Sequence, residues 1–165
     1  MKRLKRSLQI AVLFLLVAIV VVQFVGPARS NPMAPPGDDL SVRVHVTPEV
    51  REMLQRSCGD CHSNNTRWPW YSSVAPVSWF VIDHVNHGRE HLNFSEWGRY
   101  NSEDNEEILE HICKEVKSGN MPLSSYTLIH RKAKLSGDDV KVLCDWANSQ
   151  RKSLKARSES EGRDH

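Results

Sequence analysis

The chain has 165 residues, a quarter of them charged, and a formal net charge of only +2, which leaves room for one modest domain once both ends are set aside. Four cationic side chains, Lys2, Arg3, Lys5 and Arg6, flank an apolar run, and without them the remainder carries −2; without the last fifteen residues, with their five basic and three acidic side chains, the middle is nearer −4. No basic footprint for nucleic acid survives that subtraction, and that class of partner is excluded.

Residues 1–30 predict a signal or anchor helix. The basic flank is followed by an apolar stretch from Leu8 to Val25 that stops at Gly26-Pro27. As a helix it is about 27 Å long at roughly 1.5 Å per residue, close to the hydrocarbon thickness of a bilayer. A cleaved signal peptide competes, because the unbroken run Ile10 to Val22 suits an h-region and Gly26-Pro27-Ala28 is a tolerable small-residue site. Pro27 makes it a poor one, and the length favours an uncleaved anchor with its basic flank in the cytoplasm and everything after Val25 exported.

Residues 31–45 read as a linker, since "NPMAPPGDDLS" is rich in Pro, Gly and Asp without periodicity. Residues 46–150 form the domain, and residues 151–165 a polar, disordered tail. Within the domain the period is helical. Thr47, Pro48 and Glu49 combine a cap, a proline at the first helical position and a carboxylate at the positive end of the dipole. Val50, Met53, Leu54 and Ser57 then share a face, and the helix delivers the chain to Cys58. A second helix opens near Pro76, carries Val77, Phe80, Val81 and Val85, and is ended or kinked by Gly88. A third starts at Ser102 with the stripe Ile108, Leu109, Ile112, Cys113 and Val116, running down to Gly119. Ser136 with Asp139 three residues later opens the last, striped by Val140, Leu143, Cys144 and Ala147. Strand signals are almost absent, so the expected fold class is all-α.

The chemistry concentrates in "RSCGDCHSNNTRWPWY", Arg56 to Tyr71. A thioredoxin-like dithiol would open a helix after a buried strand, whereas this pair follows a helix. A structural zinc site needs a second close pair of ligands, and Cys113 and Cys144 each stand alone. A Cys58–Cys61 disulfide closes too small a loop to stabilise much and leaves His62 without a role. Cys58-Gly59-Asp60-Cys61-His62 satisfies the attachment signature of haem c, in which two thioethers anchor one edge of the macrocycle and the adjacent imidazole ligates iron. This is the favoured reading over zinc and dithiol, with one motif and therefore one haem expected.

Met121, in the loop "SGNMPLSSY", is the expected distal ligand, because Gly119 permits a sharp turn and Pro122 stiffens the residues after it. Its bland alternative is a gap-filling hydrophobe. His84, His87, His91, His111 and His130 are the rival ligands, and His84 with His87 a candidate separate metal site. Trp68, Trp70, Tyr71 and Trp79 are expected mainly as core and pocket walls. In the functional version, Trp70 or Trp79 donates its indole N–H to a haem propionate with Arg67 as charge partner, and Tyr126, His130 and Arg131 are placed similarly.

The blocks "CGDCHSNNTRWPWYSSVAPVSW", "HGREHLNFSEW" and "GNMPLSSYTLIHRKAKLS" resemble a family of bacterial haem-binding domains that are cytochrome-c-like. The resemblance covers nearly all of Val46 to Trp146. It implies a membrane-tethered or periplasmic monohaem protein, with Cys58 and Cys61 as covalent attachment points, His62 as proximal ligand and Met121 as distal ligand. The expected location is the bacterial cytoplasmic membrane, single-pass, with the C-terminal domain in the periplasm. Cys113 and Cys144 lie outside the resemblance, and the oxidising compartment and the even count left over favour a bridge between them.

The function expected is single-electron transfer between redox partner proteins, with the tether reducing the search for integral partners to two dimensions. A peroxidase-like enzyme or a haem sensor with a displaceable distal ligand is the alternative.

Overall fold

A computed structural model describes residues 2–161, and among them every regular element is helical. The apolar segment forms α1 (Lys2–Val22), and its stretch Arg3–Val22 is long and apolar enough to cross a membrane, with none of it buried against the rest of the chain. A single turn, α2 (Leu40–Arg43), is capped by the Asp39 carboxylate.

Thr47 and Pro48 do what their residue types dictate. The Thr47 hydroxyl accepts from the Val50 N–H, Pro48 occupies the first turn, and α3 (Pro48–Ser57) buries Val50, Met53, Leu54 and Ser57. One turn, α4 (Gly59–His62), follows directly. Next comes α5 (Val77–His91), which runs straight through Gly88 instead of ending there. The reason is packing: a Cβ on Gly88 would lie 2.6 Å from the Cys61 carbonyl oxygen, so the residue is small because α4 presses on it.

The helix expected at Ser102 is α6 (Ser102–Ser118), though the cap is Asn101, in a capping box with Asp104. Gly119 ends it in the left-handed region at φ 74°. A short α7 (Ser124–Ile129) precedes α8 (Gly137–Glu161). Ser136 and Asp139 close the box expected at the start of α8, each backbone N–H bonded to the other's side chain.

Contrary to the expected disordered tail, α8 continues to Glu161. Arg151 pairs with Glu106 and Glu110 of α6, and Leu154 packs on the core. Residues 162–165 lie outside the described part.

The core sits where α3, α6 and α8 meet, with Leu109, Leu143 and Ala147 fully buried. Its tryptophans are Trp97 and Trp146 rather than those beside the cysteine motif, and the Trp146 indole donates to the His45 carbonyl at 2.9 Å. Cys113 and Cys144 form the expected disulfide, tying α6 to α8 across 31 positions. Loop closure of that length is worth about 3–4 kcal/mol if the bridge acts through chain entropy.

Candidate functional site

The end of α3, the turn α4, one face of α5, the outer face of α6 and the loop before α7 surround a cavity of about 550 Å³, within the range of small-molecule and cofactor sites. Cys58, Cys61, His62 and Met121 all line it. The cysteine motif and the methionine, some 60 positions apart in the sequence, therefore meet at one place.

Each is set there by local structure. The Cys58 N–H closes the last turn of α3 on the Leu54 carbonyl, and the His62 N–H bonds the Cys58 carbonyl, so Cys58 is the junction at which α3 ends and the turn α4 begins. The His62 ring is held from α5: Nδ1 lies 2.9 Å from the Gly88 carbonyl and 3.1 Å from that of Leu92. With two carbonyls facing it, Nδ1 carries the proton, and Nε2 is left with its lone pair as the available ligand atom. Burial holds His62 below the ordinary histidine range, with the two carbonyls opposing that effect.

Burial also pushes the Cys58 thiol up to about 12, with Cys61 adding to the rise, and the Cys61 thiol up to about 11, with Asp60 adding. Both are neutral thiols at physiological pH, the opposite of what a redox-active dithiol needs. Met121 is fixed from α6: its N–H bonds the Glu115 carbonyl at 3.2 Å, and the neighbouring Asn120 amide donates to the Glu115 carboxylate.

The walls are apolar and come from residues the sequence does not single out as walls, chiefly Leu92, Phe94, Ile108, Ile112, Val116 and Leu123. Ile108 and Ile112 are legible only as members of a stripe; Leu109 and Cys113 of that stripe lie in the core alone, whereas Ile112 and Val116 belong to the core and also line the cavity. Asp60, inside the motif, is a structural centre that sequence reasoning missed. It accepts from the Tyr126 hydroxyl at 2.7 Å and from Arg67, tying α4 to α7 just beyond Met121. Burial and that bond to Asp60 raise the Tyr126 phenol well above its ordinary range.

The tryptophans and Arg67 do not join the site. Trp70 is 79% exposed and outside the cavity. The Trp79 indole N–H already donates to the Val25 carbonyl at 2.7 Å, and Arg67 points to Asp60 from an exposed position. His130 bonds the Tyr71 hydroxyl at 2.6 Å. His84, His87, His91 and His111 do line the cavity, but among the described residues no group of three or more His, Cys, Asp or Glu side chains could hold a metal ion.

The all-helical domain brings two neutral thiols and an oriented imidazole to one largely apolar cavity, a set of donors suited to a prosthetic group. The model of the haem-binding domain family matches residues 17–149, and the chain belongs to that family. No curated protein and no solved structure matches it.

The residues at the cavity fit haem. They offer two sulfurs, a nitrogen and a thioether as ligand or attachment atoms, apolar walls for the macrocycle, and the buried Ser57 hydroxyl, which lines the cavity and has no hydrogen-bond partner.

Proposed function

We propose that this chain is a membrane-tethered, single-haem c-type cytochrome domain that passes single electrons between partners on the outer face of a bacterial cytoplasmic membrane. Cys58 and Cys61 would carry the haem through thioethers, and His62, through Nε2, and Met121, through its sulfur, would ligate the iron. Bound there, haem supplies the one-electron couple of its iron.

The observation that carries the reading is the His62 ring. Two backbone carbonyls claim Nδ1, so the imidazole is oriented before any ligand arrives and little rotational freedom remains to be lost. The cysteines need no thiolate for this role. Once linked, they would tether the macrocycle to α4, and the packing of Gly88 against Cys61 makes α5 the support of both that turn and the His62 imidazole. Met121 lines the same cavity from a loop pinned to α6, and a thioether paired with an imidazole gives a low-spin centre of raised potential. The apolar walls favour the state of lower net charge, which acts in the same direction.

An enzyme reading has one supporting observation: four histidines, His84, His87, His91 and His111, line that cavity and could act as bases. The ferric spectrum of the purified full chain separates the two. An electron carrier shows a low-spin form with a weak methionine-to-iron band that Met121→Leu abolishes, along with a fall in midpoint potential. A high-spin ferric form that turns over peroxide contradicts the carrier.

A further inference from the structure

The stretch between α1 and the helical domain is bound to the domain from its first residues. The Gln23 side chain brackets the Ala75 peptide, with Nε2 donating to its carbonyl at 3.4 Å and Oε1 accepting from its N–H at 3.0 Å. The Trp79 indole donates to the Val25 carbonyl, and Gly26 lies so close to that ring that a Cβ would stand 2.5 Å from the indole nitrogen. Arg29 donates to the Ser73 hydroxyl at 2.6 Å. The buried Arg89 reaches from α5 to the Ser30 carbonyl and the Asn31 side chain, which also takes the Trp68 N–H and donates to the Thr66 carbonyl.

Apart from Arg89, the residues that make these bonds lie between Thr66 and Trp79, and the stretch Thr66 to Phe80 also carries four of the domain's exposed large apolar side chains. Trp70 is 79% exposed, and Val74, Val77 and Phe80 are each about half exposed, at 44%, 46% and 54%. Apolar side chains and anchor-binding residues alternate along one short piece of chain. Residues bonded to Gln23 and Val25 lie at the depth where the apolar run of α1 ends, and a tryptophan with β-branched and aromatic neighbours at that depth is what a bilayer interface accepts.

We infer that Trp70, Val74, Val77 and Phe80 form a second, shallow contact with the lipid of the leaflet from which α1 emerges. The inference rests on the reading of α1 as a membrane-spanning anchor. The consequence is orientation. Val77 is the first residue of α5, the helix that supports His62 and lines the cavity, so fixing its first turn on the bilayer holds the cavity at a set tilt and offers one face of the domain to partners.

The test is photolabelling of the full chain in phosphatidylcholine nanodiscs that carry a diazirine on the upper acyl chain, read by peptide mass mapping. Adducts are expected on α1 and, separately, on the peptide containing Trp70 to Phe80. The paired variant Val74→Asp, Val77→Asp loses the second set, keeps the first, and retains its helical circular dichroism and haem content. Adducts confined to α1 in the unsubstituted chain overturn the lipid contact and leave that surface for a protein partner. A mature chain that begins after Val25, or an unlabelled α1, overturns the anchor itself and the contact with it.

Discussion

Asp139 illustrates how one side chain carries both local and long-range order. Its carboxylate accepts from the Ser136 N–H at the start of α8 and pairs with Arg56 of α3 at 2.9 Å. The Ser136 backbone bond, then Arg56, hold the carboxyl below its usual range against the opposing effect of burial. A depressed carboxyl contributes stability that is present above its unfolded value, near 4, and is lost as the pH falls through the folded one. Asp139→Asn keeps an oxygen for the Ser136 N–H but removes the charge that pairs with Arg56 and sits at the positive end of α8, and is therefore expected to cost about 1 kcal/mol at neutral pH. Urea unfolding at pH 7 and at pH 3 checks it, with the difference between the two proteins shrinking at the lower pH; an equal cost at both contradicts the assignment.

At the same scale, the meeting of Cys58, Cys61 and His62 at one cavity is legible because a five-residue motif is local. The places of Trp70 and Trp79 are not. An indole near the motif in sequence can point anywhere in space, and here one is exposed while the other holds Val25, just past the end of α1.

Among the elements, the starts of α3 and α8 follow from their caps, since a Thr-Pro or Ser-x-x-Asp signature acts within one turn. The cap of α6 moves by one residue, to Asn101, because Asn101 and Ser102 are both competent and only the geometry chooses. Gly88 defeats a sequence reading for a physical reason: a glycine that breaks a helix and one that lets a neighbouring turn approach look alike in a sequence. The structure makes it the second kind, with Cys61 backbone where a side chain would be. Gly88→Ala is expected to push α4 from α5 at a cost of about 1–3 kcal/mol, the range of overpacked sites. It is also expected to disturb the two carbonyl contacts of the His62 ring. Haem content per chain and the thermal midpoint should fall together; unchanged values of both would mean that the contact yields freely.

For the whole molecule, all-α organisation, the anchor-length helix and the Cys113–Cys144 bridge are readable from periodicity, length and the even number of cysteines left outside the motif. Sequence does not reveal that part of the α6 stripe also lines the cavity, or that residues 23–31, expected as the end of the anchor and the first residue of the linker, are bonded to the domain. Both depend on which elements become neighbours, and no local pattern encodes that. The same neighbours bring Cys58, Cys61, His62 and Met121 to one cavity, and the family to which the chain belongs is one that binds haem.

Covalent attachment is tested by the intact mass of the denatured full chain, expressed with a c-type haem maturation system. Thioether linkage predicts a mass greater than that of the polypeptide by one haem, lost when Cys58→Ser and Cys61→Ser are combined. A denatured chain of bare polypeptide mass, with its haem released on unfolding, is incompatible with that linkage.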